Sequence, residues 1–222
     1  MEKKTFDYQG YGEYLYTGLQ GFVMRQNHRI LSKGVRPETN RKILEIGGGA
    51  KLHCSLVELE GVEEYWVSET EEVFRKLLKD NEEIKSFQLK NHIFDKDPDY
   101  AELKAGGHRF SRIIASHVWE HVPDPEGYLL KWMDLLEEDG QLDIAIPCDP
   151  GWLWRLGQLV SRRKAMSVYN MTSREIDLLM TREHVNSCQN LVKIMRYYSS
   201  ARAVFYPTPI PSGCGYCTTT AP

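Results

Sequence analysis

Three consecutive glycines, Gly47 to Gly49, follow a short apolar run and form the first segment of the chain with an evident capacity to bind a ligand. Glycine turns tightly, adopts positive φ at little cost and leaves backbone amides open to an approaching ligand. At the carboxyl edge of a parallel sheet, such a turn accommodates a nucleotide-like cofactor. The alternative is a glycine turn that only connects a strand to a helix.

An acidic residue, Glu69, lies twenty positions after Gly49, at the end of the next apolar run. A carboxylate at the end of a second strand is placed to accept hydrogen bonds from both hydroxyls of a ribose. Ser68 or Thr70 could also cap the helix that follows, and the two roles are compatible. A dinucleotide fingerprint would place glycine three residues after Gly49, where this chain has Leu52. The pattern therefore favours a single nucleoside over a dinucleotide pyrophosphate.

His117 and His121 belong to a segment that matches H-x-x-E-H, a zinc peptidase pattern. That chemistry requires a regular helix through the motif, so that the two imidazoles converge on one metal ion. A predicted strand precedes the motif directly, and Pro123 and Pro125 follow it. We therefore expect no metal at His117 and His121, and a zinc hydrolase is a remote alternative.

A further set of polar residues lies in an insertion over about residues 148–190, longer than a plain connection between a strand and a helix. Arg155 and Arg163 make it locally basic, and a guanidinium suits phosphate or carboxylate. A solvated helix face is the alternative. Polar groups then precede an apolar helix; they include Glu183, His184 and Asn186. These residues and His121 are candidates for binding a small, anionic substrate.

The first 40 residues form an aromatic and partly helical arm, with a helix expected over residues 19–31. Its tyrosines, Tyr11 among them, could cover a ligand pocket with a flat apolar face and a hydroxyl. Packing of the arm onto the sheet is the simpler alternative. We expect an arm over residues 1–40 and one catalytic domain over residues 41–222.

Apolar runs and helical patterns alternate along the rest of the chain, which predicts a doubly wound, mostly parallel α/β sheet with helices on both faces. Strands are expected at residues 42–46, 64–67, 84–94, 110–115, 141–146 and 203–206, with an antiparallel seventh strand within 211–222. Helices are expected at residues 52–59, 71–80, 126–136 and 191–198. Ligand-contacting residues should lie just beyond the strand ends, where the glycine turn, Glu69, Asp95, the segment 116–121 and Cys148-Asp149 occur.

Bulk composition excludes several classes of function. The chain has 222 residues and a formal net charge of −3, which gives no support to broad electrostatic binding of nucleic acid. No apolar run is long enough to span a bilayer, and the start of the sequence lacks the core of a signal peptide. Five scattered cysteines fit a reducing cytoplasm. The sequence leaves the oligomeric state open.

Over about residues 40–150, the chain resembles the class I S-adenosylmethionine-dependent methyltransferases, in particular the type 11 branch. The resemblance is carried by the following residues and segments: Leu44-Glu-Ile-Gly-Gly-Gly49, Glu69, Asp95, Ser116-His-Val-Trp-Glu-His-Val-Pro-Asp-Pro125 and Leu136-Glu-Glu-Asp-Gly-Gln-Leu-Asp-Ile-Ala-Ile-Pro147. It implies a Rossmann-like fold and S-adenosylmethionine as the cofactor.

The resemblance also implies roles for individual residues. Glu45 would take the methionine amine, and Gly47, Gly48 and Gly49 would admit the amino-acid and ribose portions of the cofactor. Glu69 would hold the ribose hydroxyls, with Thr70 beside it. The remaining cofactor contacts are assigned to Phe94 and Asp95 at the adenine, and to Ser116 and His117 at the methionyl side.

The segment Glu183-His-Val-Asn186 is similar to one in methyltransferases of surface-polysaccharide and nucleotide-sugar gene clusters. That likeness implies a small, anionic acceptor of the phosphorylated or nucleotide-linked sugar type, methylated at oxygen. His117 and His184 are then the candidates for a catalytic base. A non-catalytic partner subunit that binds S-adenosylmethionine is the alternative.

Overall fold

The computed structural model describes residues 15–33, 35–79, 90–94, 98–149, 151–199, 202–206 and 214–220. The strands are β1 (Lys42–Ile46), β2 (Glu64–Ser68), β3 (Lys90–Phe94), β4 (Phe110–Ser116), β5 (Leu136–Pro147), β6 (Arg202–Tyr206) and β7 (Cys214–Thr220). The helices are α1 (Gly18–Leu31), α2 (Glu72–Lys79), α3 (Tyr100–Ala105), α4 (Pro125–Asp134), α5 (Trp152–Val168), α6 (Ser173–Glu183) and α7 (Cys188–Tyr198). Short 3-10 turns occur at Pro37–Asn40, His53–Ser55 and Trp119–His121.

Across the described residues, the strands form a sheet in the order β3-β2-β1-β4-β5-β7-β6. Strands β1 to β5 run parallel, whereas β7 is antiparallel to both β5 and β6. Ile46 lies opposite Ser68 of β2 and Ala115 of β4, so these three strands end at the same edge of the sheet. The predicted α/β Rossmann-like architecture with a parallel sheet is confirmed, and its carboxyl edge carries the glycine turn.

Helices cover both faces of the sheet. Successive side chains of a strand point to opposite faces, and the apolar side chains on each face need cover. Leu44 and Ile46 of β1 belong to one hydrophobic core, which includes Trp132 of α4 and Leu191 of α7. Ile43 of β1 belongs to a second core on the other face. That second core contains Leu31 of α1 and Leu78 of α2. The sheet is therefore buried from both sides, as a parallel sheet requires.

A buried arginine, Arg112 of β4, fastens the end of α1 to the sheet. Its side chain is 0% exposed and forms an ion pair with Asp143 of β5, with Nε 2.7 Å from Oδ2. The guanidinium also donates to Asn40 Oδ1 at 2.9 Å and to the carbonyl of Leu31 at 2.8 Å. The helix predicted over residues 19–31 is confirmed as α1, and these bonds fix its carboxyl end. The division into an arm and a catalytic domain stays a prediction.

The helix predicted over residues 52–59 is wrong. In its place the chain forms only the 3-10 turn His53–Ser55. The imidazole of His53 is 0% exposed and lies between two partners, His28 Nδ1 at 2.9 Å and Ser32 Oγ at 2.8 Å. These long-range contacts with α1 override a weak local preference for helix.

The prediction of one helix over residues 126–136 and a strand from residue 141 is wrong at their junction. Helix α4 ends at Asp134, and β5 already begins at Leu136, which pairs with Phe110 of β4. The apolar residues at 135 and 136 therefore enter the core from a turn and a strand, not from a helical stripe. Helix α3 was not predicted, although Asp99 caps it through the amides of Ala101 and Glu102.

The predicted insertion after β5 contains α5 and α6. A capping box begins α6, with Thr172 and Glu175 exchanging side-chain and backbone hydrogen bonds. Arg162 of α5 holds α6 through Ser173 Oγ at 2.8 Å and Asp177 Oδ2 at 2.5 Å. Among the helices of the described residues, none combines the length and apolarity needed to cross a membrane.

Candidate functional site

The glycine turn after β1 is shaped by the side chains beneath it. Gly47 and Gly49 have φ values of +67° and +57°, in the region that favours glycine. A Cβ on Gly47 would lie 2.4 Å from Val118 Cγ2, and one on Gly48 would lie 2.6 Å from Val67 Cγ1. At Gly49, the nearest described atom to a Cβ would be the carbonyl oxygen of Gly47, at 4.0 Å. The first two glycines therefore allow close packing, and the third borders open space.

Glu69 lies directly against this turn, as its spacing from Gly49 predicts. The amide of Gly49 donates to Glu69 Oε2 at 2.6 Å, and the amide of Glu71 donates to Oε1 at 2.8 Å. Burial raises the pKa of Glu69, against the opposing effect of these amides. Arg75 of α2 donates to the carbonyls of Glu69 and Thr70, which fixes the backbone beside the carboxylate. The contact of Glu69 and Thr70 with a ribose stays a prediction.

Glu45 lies beneath the turn and not at its surface. The residue is 2% exposed, and its carboxylate accepts from the amide of His53 at 3.0 Å and from the hydroxyl of Tyr65 at 2.6 Å. Burial raises its pKa to about 8, although both hydrogen bonds oppose that rise. These bonds hold the chain that follows the glycines. Its contact with a methionine amine stays a prediction.

The end of β4 carries Ser116 and His117. The hydroxyl of Ser116 is buried and has no hydrogen-bond partner among the described residues. His117 has a φ of +57°, and its amide donates to the carbonyl of Ala145 at 2.8 Å. Its Nε2 lies 3.1 Å from Asn27 Nδ2, which joins α1 to this edge of the sheet. Two polar groups predicted at the methionyl side therefore do lie where β4 ends.

The next residues bring a carboxylate and two further imidazoles together. Glu120 Oε1 lies 3.7 Å from His117 Nδ1 and 3.6 Å from His121 Nε2. The ring of His184 meets that of His121 edge to face, with centroids 5.0 Å apart. His184 Nδ1 in turn lies 3.1 Å from Asp149 Oδ2. Residues from three separate segments thus converge beyond the ends of β4 and β5.

The charge states of this cluster follow from burial and from its internal contacts. Burial alone would raise the pKa of Glu120, but its interactions with His117 and His121 outweigh burial and lower that pKa. Burial lowers the pKa of His184 and outweighs the opposing influence of Glu120 and Asp149. At neutral pH, an ionised carboxylate therefore lies beside a neutral imidazole.

Two residues predicted to bind the acceptor, Asn186 and Glu183, support the turn at residues 119–122. Asn186 Nδ2 donates to the carbonyl of Val122 at 2.7 Å, and its amide donates to the carbonyl of Glu120 at 3.1 Å. The carbonyl of Glu183 accepts from His121 Nδ1 at 2.8 Å. The side chain of Arg163 is exposed on α5. Acceptor binding by these residues stays a prediction.

Four predicted site residues fall partly or wholly outside the described structure. Tyr11 and Asp95 lie outside the described residues. Phe94 closes β3 and Arg155 lies in α5, but their side chains are not among those described. Their assigned roles at the adenine and the acceptor stay predictions.

Sequence reasoning missed Asn27 as a member of the site, and it included Glu120 and Asp149 only within the segments expected beyond the strand ends. Glu120 was part of a quoted motif, yet only its flanking histidines were assigned roles. Asp149 lies three residues after the predicted strand end at residue 146, among the positions expected to contact a ligand, but it was assigned no role. No local pattern indicates that Asn27 of α1 would meet His117, since the two are 90 residues apart in the chain.

The described residues at this edge suit S-adenosylmethionine. The cofactor needs a turn that a Cβ would not fill, a carboxylate for the ribose hydroxyls and a polar group near its amino-acid end. Gly49 borders open space, Glu69 lies against it, and the Ser116 hydroxyl has an unused hydrogen-bonding capacity among the described residues.

Comparison with solved structures places the fold among methyltransferases. The chain is 16% identical to the CurJ carbon methyltransferase (TM-score 0.62), covering 97% of this chain and 58% of that chain. It is 13% identical to magnesium protoporphyrin IX methyltransferase (ChlM) from Synechocystis PCC 6803 with bound SAH (TM-score 0.63; 97% and 94% covered). It is also 13% identical to the N-methyltransferase NodS from Bradyrhizobium japonicum WM9 (TM-score 0.56; 90% and 96% covered).

No curated protein matches the chain significantly. A family model described as "Methyltransferase domain" matches residues 14–195, which includes α1 and the insertion as well as the glycine turn. The resemblance to methyltransferases is confirmed at this level, whereas the type 11 branch and the likeness to polysaccharide-cluster enzymes stay predictions. The chain therefore belongs to the methyltransferase-domain family and has the fold of its S-adenosylmethionine-dependent enzymes.

Proposed function

We propose that this protein transfers the methyl group of S-adenosylmethionine to an oxygen atom of a small, anionic acceptor. The observation that carries the proposal is the position of Glu120, within 3.7 Å of both His117 and His121. Because His117 directly follows β4, this contact joins the predicted methionyl side of the cofactor to the cluster of imidazoles.

The reaction is an in-line displacement in which positioning accounts for much of the rate. S-adenosylmethionine supplies a methyl group whose bond to sulfur breaks, with the electron pair returning to sulfur, as an acceptor lone pair forms the new C–O bond. A hydroxyl acceptor also loses its proton. His117 and His184 are the proposed proton acceptors. Asp149 orients the ring of His184 through Nδ1, and His117 accepts a proton at Nε2 once Asn27 Nδ2, which donates to that atom, moves away.

One feature supports an anionic acceptor. Arg163 extends from α5 into solvent, and a guanidinium recognises phosphate or carboxylate by paired hydrogen bonds. Its neighbour Arg162 is already paired with Asp177 and holds α6, so we assign it no acceptor contact. A phosphorylated or nucleotide-linked sugar is the acceptor class that we propose.

A mass-shift screen tests this function. The protein is incubated with S-adenosylmethionine and with panels of sugar phosphates, nucleotide sugars, amines and small acids, and products heavier by one methylene unit are sought. We expect product from a phosphorylated hydroxyl compound, and much less from His117→Asn/His184→Asn. Methylation of an amine or a carbon acid alone would refute oxygen transfer. Unchanged turnover in the double variant would refute the roles of the histidines.

Cofactor binding without any turnover would instead favour a non-catalytic partner subunit. A matched control distinguishes loss of chemistry from loss of cofactor. Glu69→Ala should weaken S-adenosylmethionine binding at least tenfold and lower turnover with it, whereas His184→Asn should keep binding and lose turnover. An equal loss of cofactor binding in both variants would contradict the assignment of His184 to the acceptor side.

A further inference from the structure

Glu120, His121 and His184 place one ligand atom each within 4.8 Å of one another. These residues are separated by up to 64 positions in the chain, and they meet beyond the ends of β4 and β5. The two imidazoles are not those of the H-x-x-E-H pattern, since His184 at the end of α6 takes the place of His117. Two imidazoles and a carboxylate are a donor set that divalent transition metals prefer.

The hydrogen bonds around the two imidazoles fix which nitrogen carries the proton. His121 Nδ1 lies 2.8 Å from the carbonyl oxygen of Glu183, and His184 Nδ1 lies 3.1 Å from Asp149 Oδ2. Both partners can only accept, so each Nδ1 must be a donor. In the neutral rings Nε2 is then unprotonated, which is the state that binds a metal, and the oxygens are the outer partners typical of metal-bound histidines.

The carboxylate of Glu120 is incompletely satisfied by the protein. The side chain is 3% exposed, and Oε2 is buried without a hydrogen-bond partner among the described residues. Oε1 lies 3.6 Å from His121 Nε2, which is too long for an N–H···O hydrogen bond. When His121 is neutral, two electron-rich atoms therefore face each other, an arrangement that a cation between them would stabilise.

The separation between Glu120 and His121 suits a shared metal ion. Two ligand atoms each about 2.1 Å from Zn²⁺ at a tetrahedral angle lie roughly 3.4 Å apart, close to the 3.6 Å between Glu120 Oε1 and His121 Nε2. The His121 side chain is 35% exposed, so the cluster is open to solvent on that side. Asn186 fixes the backbone of this turn through the carbonyls of Glu120 and Val122.

We propose that Glu120, His121 and His184 bind one divalent transition-metal ion of the Zn²⁺ or Mn²⁺ class. Three protein ligands leave at least one coordination position for a small oxygen ligand. If the proposed function holds, that ligand is the acceptor hydroxyl, whose pKa coordination would lower before its proton passes to His117. His184 is then a metal ligand, and His117 remains the proposed proton acceptor on the cofactor side.

Metal titration of the full chain tests the site directly. Protein dialysed against chelator is titrated with Zn²⁺ by calorimetry and with Mn²⁺ by electron paramagnetic resonance. We expect one ion per chain, and at least 100-fold weaker binding in His121→Ala and in His184→Ala. Asp149→Asn, which alters only the outer partner of His184, should weaken binding about 10–100-fold. His108→Gln, a histidine that stacks on Trp66 away from the cluster, is the matched control and should bind normally.

Absence of a stoichiometric ion in the wild-type protein, or wild-type affinity in either alanine variant, would overturn the proposal. A second measurement does not depend on the stability of any variant. Nitrogen NMR of the histidine rings should show Nδ1-protonated tautomers for His121 and His184 in the metal-free protein at pH 8, and a shift of both Nε2 signals on adding Zn²⁺. A doubly protonated His121 at that pH would identify a proton, and not a metal, between Nε2 and Glu120.

These outcomes separate this proposal from the proposed function. Methyl transfer that chelator leaves unchanged, together with no bound ion, would sink the metal site and leave the methyltransferase activity standing. A stoichiometric ion in a protein that methylates no acceptor would support the metal site and contradict the proposed function.

Discussion

Replacing Arg112 by methionine removes the cation from the most deeply buried ion pair of the sheet. Arg112 and Asp143 both have side chains that are 0% exposed, and Arg112 also donates to Asn40 and to the carbonyl of Leu31. In Arg112→Met the Asp143 carboxylate keeps only Gln141 Nε2, at 2.8 Å, among the partners described for it. Removing one member of a buried pair costs about 3–5 kcal/mol, because the other charge is left uncompensated.

The reverse expectation holds for removing both charges. Burial raises the pKa of Asp143 even with Arg112 beside it, so the cost of desolvating the carboxylate exceeds what the pair returns. Arg112→Met/Asp143→Leu should therefore recover most of the stability lost in the single variant. Arg41→Met is the control, since Arg41 forms an exposed ion pair with Glu137 and should change stability by less than about 1 kcal/mol.

Urea unfolding followed by circular dichroism measures these differences. The single variant should also show weaker attachment of α1, because the carbonyl of Leu31 loses its donor. A loss below about 1 kcal/mol in Arg112→Met, or a double variant as unstable as the single one, would refute the reasoning about the buried charge.

Three further perturbations follow from the described contacts. Because the pKa of Glu45 rises from 4.5 to about 8 on folding, the folded state holds an extra proton in that range. The free energy of unfolding should therefore fall as pH rises from 4.5 to about 8. Urea titration at pH 5 and pH 8.5 should show a smaller fall in Glu45→Gln than in the wild-type protein. Burial lowers the pKa of His28 from 6.5 to about 3, so its contribution to the free energy of unfolding is lost as pH drops below about 6.5. The free energy of unfolding of His28→Gln should therefore fall less steeply with decreasing pH than that of the wild-type protein. Gly48→Ala should cost about 1–3 kcal/mol in thermal melts, since the new Cβ would overlap Val67; an unchanged melting temperature would contradict the packing at the turn.

Strands β1, β2 and β4 were predictable because each is a short, largely apolar run that ends in glycine or in polar residues. Residues 42–46 were predicted as a strand and form β1 with the same bounds. The position of Glu69 against Gly49 followed from the rule that parallel strands end at one edge of the sheet. The sequence was sufficient to predict a contact where both residues lie at the ends of neighbouring parallel strands.

Prediction failed where distant residues decide the local structure. The chain after Gly49 does not become a helix because His53 is committed to His28 and Ser32 of α1. In the same way, the sequence predicted no partner for His121, since His117 and His121 were not expected to converge on a metal ion. The structure instead pairs His121 with His184, a contact that depends on how α6 returns to the sheet.

The central claim is that the glycine turn and Glu69 bind S-adenosylmethionine, and isothermal titration of the cofactor into the wild-type protein tests it most directly. We predict saturable binding at one site per chain, weakened at least tenfold in Glu69→Ala and unchanged in Arg41→Met. The absence of any binding heat at several temperatures, with the protein folded by circular dichroism, would contradict the account.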